Sequence, residues 1–222
     1  MSLLQMSVRS AVLTAAAASA VSLIPTVPAV ADDGPPCPNI QVVFARGTRE
    51  DPGLGRVGDA LVSNLQRLVG NRTIGTYGAD YPASYDFMTA QDGAADLQSH
   101  IADMAQRCPN TKIVLGGYSQ GAAAVDMLSG VPPLGDTVGD FGSAPPMPAD
   151  LASRVTAVAV FGNPSTRFGS PLNTAGQFAG KAIDMCADGD PICSQGRNPF
   201  AHNTYETSSA VVTAANFVAQ RL

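Results

Sequence analysis

Lys112-Ile113-Val114-Leu115-Gly116-Gly117-Tyr118-Ser119-Gln120-Gly121-Ala122-Ala123-Ala124 runs from an apolar, β-branched segment through a Gly-Tyr-Ser-Gln-Gly pentapeptide into a row of alanines. The first part suits a buried strand and the last a helix, so the chain turns sharply at Ser119. A serine at such a corner takes a strained backbone conformation that lifts its hydroxyl above the sheet. Glycines are required at 117 and 121, where helix and strand come too close for a Cβ. The first amides of the helix then point at whatever the hydroxyl attacks. A glycine-rich turn in which Ser119 only caps a helix would show the same pentapeptide. The decision therefore falls to the rest of the chain, which must supply a base and an acid.

Upstream, Ile40–Ala45 is a short apolar run and reads as a buried strand, followed by the turn Arg46-Gly47-Thr48. Leu54, Val57, Leu61, Leu65 and Leu68 recur at helical spacing up to Val69, and Gly70-Asn71 stops that helix. Thr73–Tyr77 reads as a second strand and 81–85 as a loop. A second helix carries Leu97, Ile101, Met104, Ala105 and Cys108 on one side, which leaves Asp96, His100, Asp103 and Arg107 to solvent. Downstream of the elbow, 131–148 is a Pro/Gly-rich connection, Val155–Phe161 a buried strand and Ala182–Met185 a short last strand. A closing helix spans 204–222 with Val211, Val212, Ala215, Val218 and Leu222 as its apolar positions. Strands alternating with helices imply an α/β fold with a mostly parallel sheet covered on both faces. Working residues of such a sheet gather at the strands' carboxyl ends, where Thr48, Ser119, Asp188, Asp190 and His202 fall.

Composition narrows the classes. The 222 residues, 45% of them hydrophobic, suit one domain with a substantial core. The formal charge is -5, and the two lysines, Lys112 and Lys181, form no basic cluster. Nucleic acid and anionic membrane surfaces are therefore not expected partners. Residues 1–31 read as a secretory signal, with Arg9, an apolar core and Ala29-Val30-Ala31 as the cleavage pattern. Pro25 and Pro28 interrupt the apolar span that a membrane anchor would need. The mature domain is 32–222. Four cysteines, Cys37, Cys108, Cys186 and Cys193, fit two disulfides in an exported chain, with three pairings open. Cys186 and Cys193 are near enough to close a small loop, which would leave Cys37 with Cys108. No Cys-x-x-Cys pair is present, so a zinc site is not expected.

A serine hydroxyl needs a base, and imidazole suits the task near neutrality. Of the two histidines, His100 is assigned to a helix flank, so His202 is the base by elimination. Asp184, Asp188 and Asp190 lie shortly before it. Asp190 is preferred as the acid because a Cys186–Cys193 bridge would hold its loop, with Asp188 as runner-up. The order Ser, Asp, His is that of the α/β-hydrolases. The Gln120 amide and the turn at Thr48 are candidate oxyanion donors.

Ala45-Arg46-Gly47-Thr48, Gly117-Tyr118-Ser119-Gln120-Gly121, Cys186-x-x-Gly189-Asp190-x-x-Cys193 and His202 together resemble the cutinases, most closely the secreted mycobacterial cutinase-like serine esterases. The likeness runs from Cys37 to the C-terminal helix. It implies a three-layer α/β/α sandwich, a lidless α/β-hydrolase with a central five-stranded parallel sheet. It also implies Ser119 as nucleophile, Asp190 as acid, His202 as base, and Thr48 with Gln120 as oxyanion donors. The pairings Cys37–Cys108 and Cys186–Cys193 follow from it too. Substrates in the family are carboxylic esters of short to medium acyl chain, including some lipids and polyesters. Fungal cutinases line the rim beside the histidine with apolar residues, whereas Ser194-Gln195-Gly196-Arg197-Asn198 here is polar and leaves only Ile192, Pro199 and Phe200 apolar. Soluble or micellar esters are therefore expected rather than cutin.

The expected reaction is a two-stage hydrolysis through an acyl-enzyme, with no metal or organic cofactor. The expected partner is a small-molecule or lipid ester and the expected state a secreted monomer, with cell-wall retention open. Acyl transfer through the same triad and a secreted binding domain with a vestigial site are the rival readings.

Overall fold

The computed structural model describes residues 36–135 and 141–222. The expected signal, 1–31, lies outside them, as does part of the 131–148 connection.

Five strands make the sheet: β1 (Ile40–Ala45), β2 (Ile74–Gly78), β3 (Lys112–Tyr118), β4 (Val155–Phe161) and β5 (Ala182–Met185). Their spatial order is β2-β1-β3-β4-β5, and every pairing is parallel. Parallel neighbours need crossovers, and the chain supplies α1 (Gly55–Leu68), α2 (Ala90–Arg107) and α3 (Gln120–Ser129) between strands, while α7 (Ser209–Ala219) follows β5 and packs back on the sheet. Three one-turn helices, α4 (Ala149–Ala152), α5 (Pro164–Arg167) and α6 (Pro199–His202), lie in the connections.

The alternation of side chains along each strand sorts the core into two layers. Ile40, Val42, Phe44, Val114, Ala157 and Phe161 pack with Val57, Leu61 and Leu65 of α1 and Val211, Ala214 and Val218 of α7. Val43, Ala45, Ile113, Leu115, Val158 and Val160 face the other way, against Leu97 and Ile101 of α2 and Val125 and Leu128 of α3. The result is the expected α/β/α sandwich with a five-stranded parallel sheet. Each fully buried aliphatic or aromatic side chain contributes roughly 1.5–3 kcal/mol.

Helical period located the buried faces but not their margins. Leu68 and Val212, placed on apolar faces by spacing, are exposed at the edges of α1 and α7. His100, expected in solvent, is half-buried instead. Its ring stacks on Tyr77 of the edge strand β2, centroids 3.6 Å apart and planes within 6°. Its Nε2 lies 3.4 Å from Gln41 Nε2, and burial lowers its pKa. The physical reason is that Tyr77 reaches over the sheet edge and covers a helix face that would otherwise meet water.

Disulfides join Cys37 to Cys108 and Cys186 to Cys193. The first spans 71 residues and ties the entry to β1 to the end of α2, whereas the second spans 7. Loop-closure entropy makes these worth about 4 and about 2 kcal/mol respectively. Guanidinium unfolding of C37A/C108A and C186A/C193A should therefore show the larger loss in the first variant; equal losses would contradict this account.

Candidate active site

β3 ends at Tyr118 and α3 begins at Gln120, so Ser119 is the single residue between them. Its φ of 56° and ψ of -116° lie where non-glycine residues rarely go. The surrounding backbone holds it there. Ser119 N–H donates to Phe161 O at 2.9 Å, and Ala123 N–H donates to Ser119 O at 3.1 Å. A Cβ at Gly117 would stand 2.3 Å from Gly121 O, and one at Gly121 only 2.0 Å from Ala45 O. These two glycines let the first turn of α3 sit directly on β1 and β3. Gln120 N–H, in that first turn, has no intrahelical acceptor.

His202 ends α6, beyond β5. Its Nε2 lies 2.9 Å from Ser119 Oγ and its Nδ1 2.8 Å from Asp190 Oδ2. Among the three acids considered, the structure brings Asp190 to the imidazole. Asp188 is exposed, and Asp184 bonds elsewhere, to Asn163 and to the Leu172 N–H. Asp190 is fully buried in the loop closed by Cys186–Cys193. Its Oδ1 accepts from Ile192 N–H at 2.7 Å, and its Oδ2 accepts also from Tyr205 OH at 2.7 Å. Burial works to raise the Asp190 pKa, but donation from His202, Ile192 and Tyr205 outweighs it and holds the carboxyl below its ordinary value. The carboxylate is thus charged and pinned on both oxygens.

Two tyrosines complete this side, and the sequence reading assigned neither a role. Tyr118 donates its hydroxyl to the His202 carbonyl at 2.6 Å, with its ring 5.1 Å from the imidazole. Tyr205 accepts from Ala187 N–H at 2.8 Å while donating to Asp190. Burial raises the pKa of both phenols, so both remain protonated donors. A tyrosine inside the elbow motif and another three residues after the histidine were the available signals.

Thr48 and Gln120 meet beside Ser119, with Thr48 Oγ1 donating to Gln120 Oε1 at 3.1 Å. The Thr48 turn is held from behind by Arg46, which is only 4% exposed. Its guanidinium donates to the carbonyls of Glu50, Ala79 and Tyr81 at 2.8, 2.9 and 2.6 Å. Glu50 Oε2 accepts from Gly47 N–H at 2.7 Å. Buried arginine donors and a carboxylate on a turn amide thus fix the segment that carries Thr48.

Above these groups opens a cleft of about 550 Å³. Phe87, Leu134, Phe141, Phe168 and Ile192 supply its apolar part, and Glu50, Arg56 and Asn203 a charged and polar part. The segment 194–198 is polar as expected, yet the mouth is not. Tyr85, Phe87, Phe168 and Ile192 line it with exposed side chains, and Phe200, 76% exposed, projects two residues before His202. Most of these residues come from loops distant in sequence from the histidine, which a reading of one segment does not capture.

The Cutinase family model matches residues 36–222. The chain is 46% identical over 214 residues to a protein named Phospholipase Culp4 of Mycobacterium tuberculosis, covering 96% of this chain and 91% of that protein. It is 50% identical over 189 residues to the Probable carboxylesterase Culp3 of Mycobacterium tuberculosis, covering 84% and 70%. Among solved structures, a Trichoderma reesei cutinase bound to a phosphonate inhibitor superposes with a TM-score of 0.66 at 36% identity, covering 83% of this chain and 77% of that one.

Behind the site lies an acidic pair, Asp126 fully buried and Asp184 partly so. Asn163 Nδ2, just past the end of β4, donates to Asp126 Oδ1 at 2.9 Å and to Asp184 Oδ2 at 2.8 Å. Ser165 OH also donates to Asp126 Oδ1. Burial raises the pKa of both carboxyls, that of Asp126 well above the ordinary value despite these donors. A carboxyl raised on folding binds a proton that the unfolded chain releases, so stability falls as pH climbs from the unfolded value, about 4, toward the folded one. Asp126→Asn keeps the Oδ1 acceptor and removes that slope. Its melting temperature relative to the parent should rise between pH 4 and pH 8; a difference independent of pH would contradict the assignment.

Proposed function

The chain belongs to the cutinase family and is a serine esterase, a carboxylic ester hydrolase; from that premise we propose that Ser119 is its nucleophile, His202 its general base and Asp190 the acid that orients the base. The observation that carries this reading is the unbroken contact from Ser119 Oγ through His202 to a buried, triply bonded Asp190. Ser119 attacks the ester carbonyl as its proton passes to His202 Nε2. Asp190 holds Nδ1 protonated and stabilises the imidazolium. The oxyanion is received by the Gln120 amide and by Thr48. His202 then gives its proton to the departing alcohol, and water releases the acyl group by the same route.

The substrates proposed are esters of short to medium acyl chain, dissolved or in micelles. The apolar part of the cleft supports this assignment for the acyl group, and the exposed aromatic mouth supports contact with aggregated ester. Two disulfides, together with the signal expected at 1–31, support an exported enzyme. Among the described residues no helix is long and apolar enough to cross a membrane. The proposed state is a monomer, and nucleic acid is not among the proposed partners.

Turnover of p-nitrophenyl butyrate tests the triad. Ser119→Ala and His202→Ala should each lower kcat by about 10⁴-fold or more with circular dichroism unchanged. Activity of the parent should fall on acidification, because a protonated imidazole cannot accept the serine proton. Retention of activity in either folded variant, or a flat profile from mildly acid to alkaline pH, would overturn the assignment.

A further inference from the structure

Tyr205 lies three residues after His202 and is fully buried. Its ring belongs to the core on the α1 and α7 side of the sheet, edge-on to Phe161 with centroids 5.9 Å apart and to Tyr118 at 5.8 Å. Packing therefore anchors the ring, and the hydroxyl is held in place whatever it bonds. That hydroxyl accepts from Ala187 N–H at 2.8 Å, inside the loop closed by Cys186 and Cys193, and lies 3.5 Å from Cys193 Sγ. With its oxygen engaged by the amide, the phenol proton goes to Asp190 Oδ2 at 2.7 Å. His202 Nδ1 uses the same Oδ2, at 2.8 Å, while the Ile192 amide occupies Oδ1. Orientation of the imidazole needs one donor on that oxygen, and the chain supplies two.

Resting on the triad reading, we propose that Tyr205 is a positioning residue that limits the hold of Asp190 on His202, because its hydroxyl and the imidazole divide the charge of one carboxylate oxygen. Two donors on one acceptor weaken each other, since each draws on the same electron density. A carboxylate without the phenol would attract the imidazolium more strongly, and His202 would release its proton less readily. The reaction needs that release: the proton taken from Ser119 Oγ must pass on to the oxygen of the departing alcohol. Tyr205 thus keeps the base weak enough to act next as an acid. Tyr118, Glu50, Arg56, Glu206 and Arg167 face the pair from the neighbouring elements, with Arg56 lying 3.2 Å from Glu50 Oε1 and 2.6 Å from Glu206 Oε1. Among the described residues none of these five bonds a side-chain oxygen of Asp190, so Tyr205 alone shares that carboxylate oxygen with the imidazole.

The test is the pH dependence of kcat/KM for p-nitrophenyl butyrate in the parent, in Tyr205→Phe and in the full chain carrying fluorotyrosine at 205. Phenylalanine keeps the ring that packs and removes only the hydroxyl, with circular dichroism and thermal unfolding as checks of the fold. The midpoint of the acid limb should rise by roughly one pH unit in Tyr205→Phe, the scale of one hydrogen bond to a charged group. Fluorine makes the phenol a stronger donor and burial keeps it protonated, so the fluorotyrosine protein should show a lower midpoint. The proton resonance of His202 Nδ1–H should move downfield in the first and upfield in the second. A midpoint unmoved in both, or one that falls in Tyr205→Phe together with an upfield resonance, as loss of a purely structural support would give, overturns the proposal and leaves the triad standing. If Tyr205→Phe does not fold, the direction of the change in the fluorotyrosine protein decides. Absence of turnover by the parent would instead overturn the triad and this proposal with it.

Discussion

The contact between the first turn of α3 and the strands beneath it governs the rest of the molecule. With Gly121 against the Ala45 carbonyl and Gly117 against Gly121, helix and sheet meet at backbone distance, and Ser119 is left in a conformation it would not choose alone. That strain, of order 1–3 kcal/mol, persists only because burial of β1, β3 and α3 over-determines the corner. The same contact aims α3 so that its first amide and the Thr48 turn border one small volume beside the hydroxyl. The proposed nucleophile and its proposed oxyanion donors are therefore a consequence of how closely two elements approach.

The opposite side of the site is held by a different device. His202 stands on a one-turn helix with little intrinsic rigidity, and neighbours supply what it lacks. Tyr118 holds its carbonyl, while Asp190 holds its ring and Tyr205 holds Asp190. The short disulfide loop and the Ile192 amide fix the carboxylate in turn. Each polar group of this relay has a partner, which makes the arrangement stiff. Arg46 and Glu50 do for the Thr48 turn what Tyr205 does for Asp190.

Much of this was legible in the sequence wherever a backbone constraint permits few residue types. The elbow announced itself because only glycine fits at 117 and 121, and the buried strands because β-branched runs bounded by turns have few other uses. The choice of His202 over His100 followed from helical spacing, although the environment inferred for His100 was wrong. Spacing tells which face of α2 turns inward; it does not tell that Tyr77 reaches around the sheet edge to cover the other. The aromatic mouth escaped for a similar reason. Tyr85, Phe87 and Phe168 converge from separate loops, and nothing local to any one of them signals the assembly. Tyr205 and Arg46 are single polar residues whose meaning comes entirely from what they touch.

Everything rests on the proposal that Ser119 reacts and that the Gln120 amide and Thr48 receive the charge that develops. A crystal structure of the protein after reaction with a fluorophosphonate ester tests it most directly. The expected adduct has phosphorus bonded to Ser119 Oγ, with the phosphoryl oxygen within about 3 Å of the Gln120 amide nitrogen and of a Thr48 donor. An adduct on any other residue, or one on Ser119 whose phosphoryl oxygen turns away from both, would contradict it.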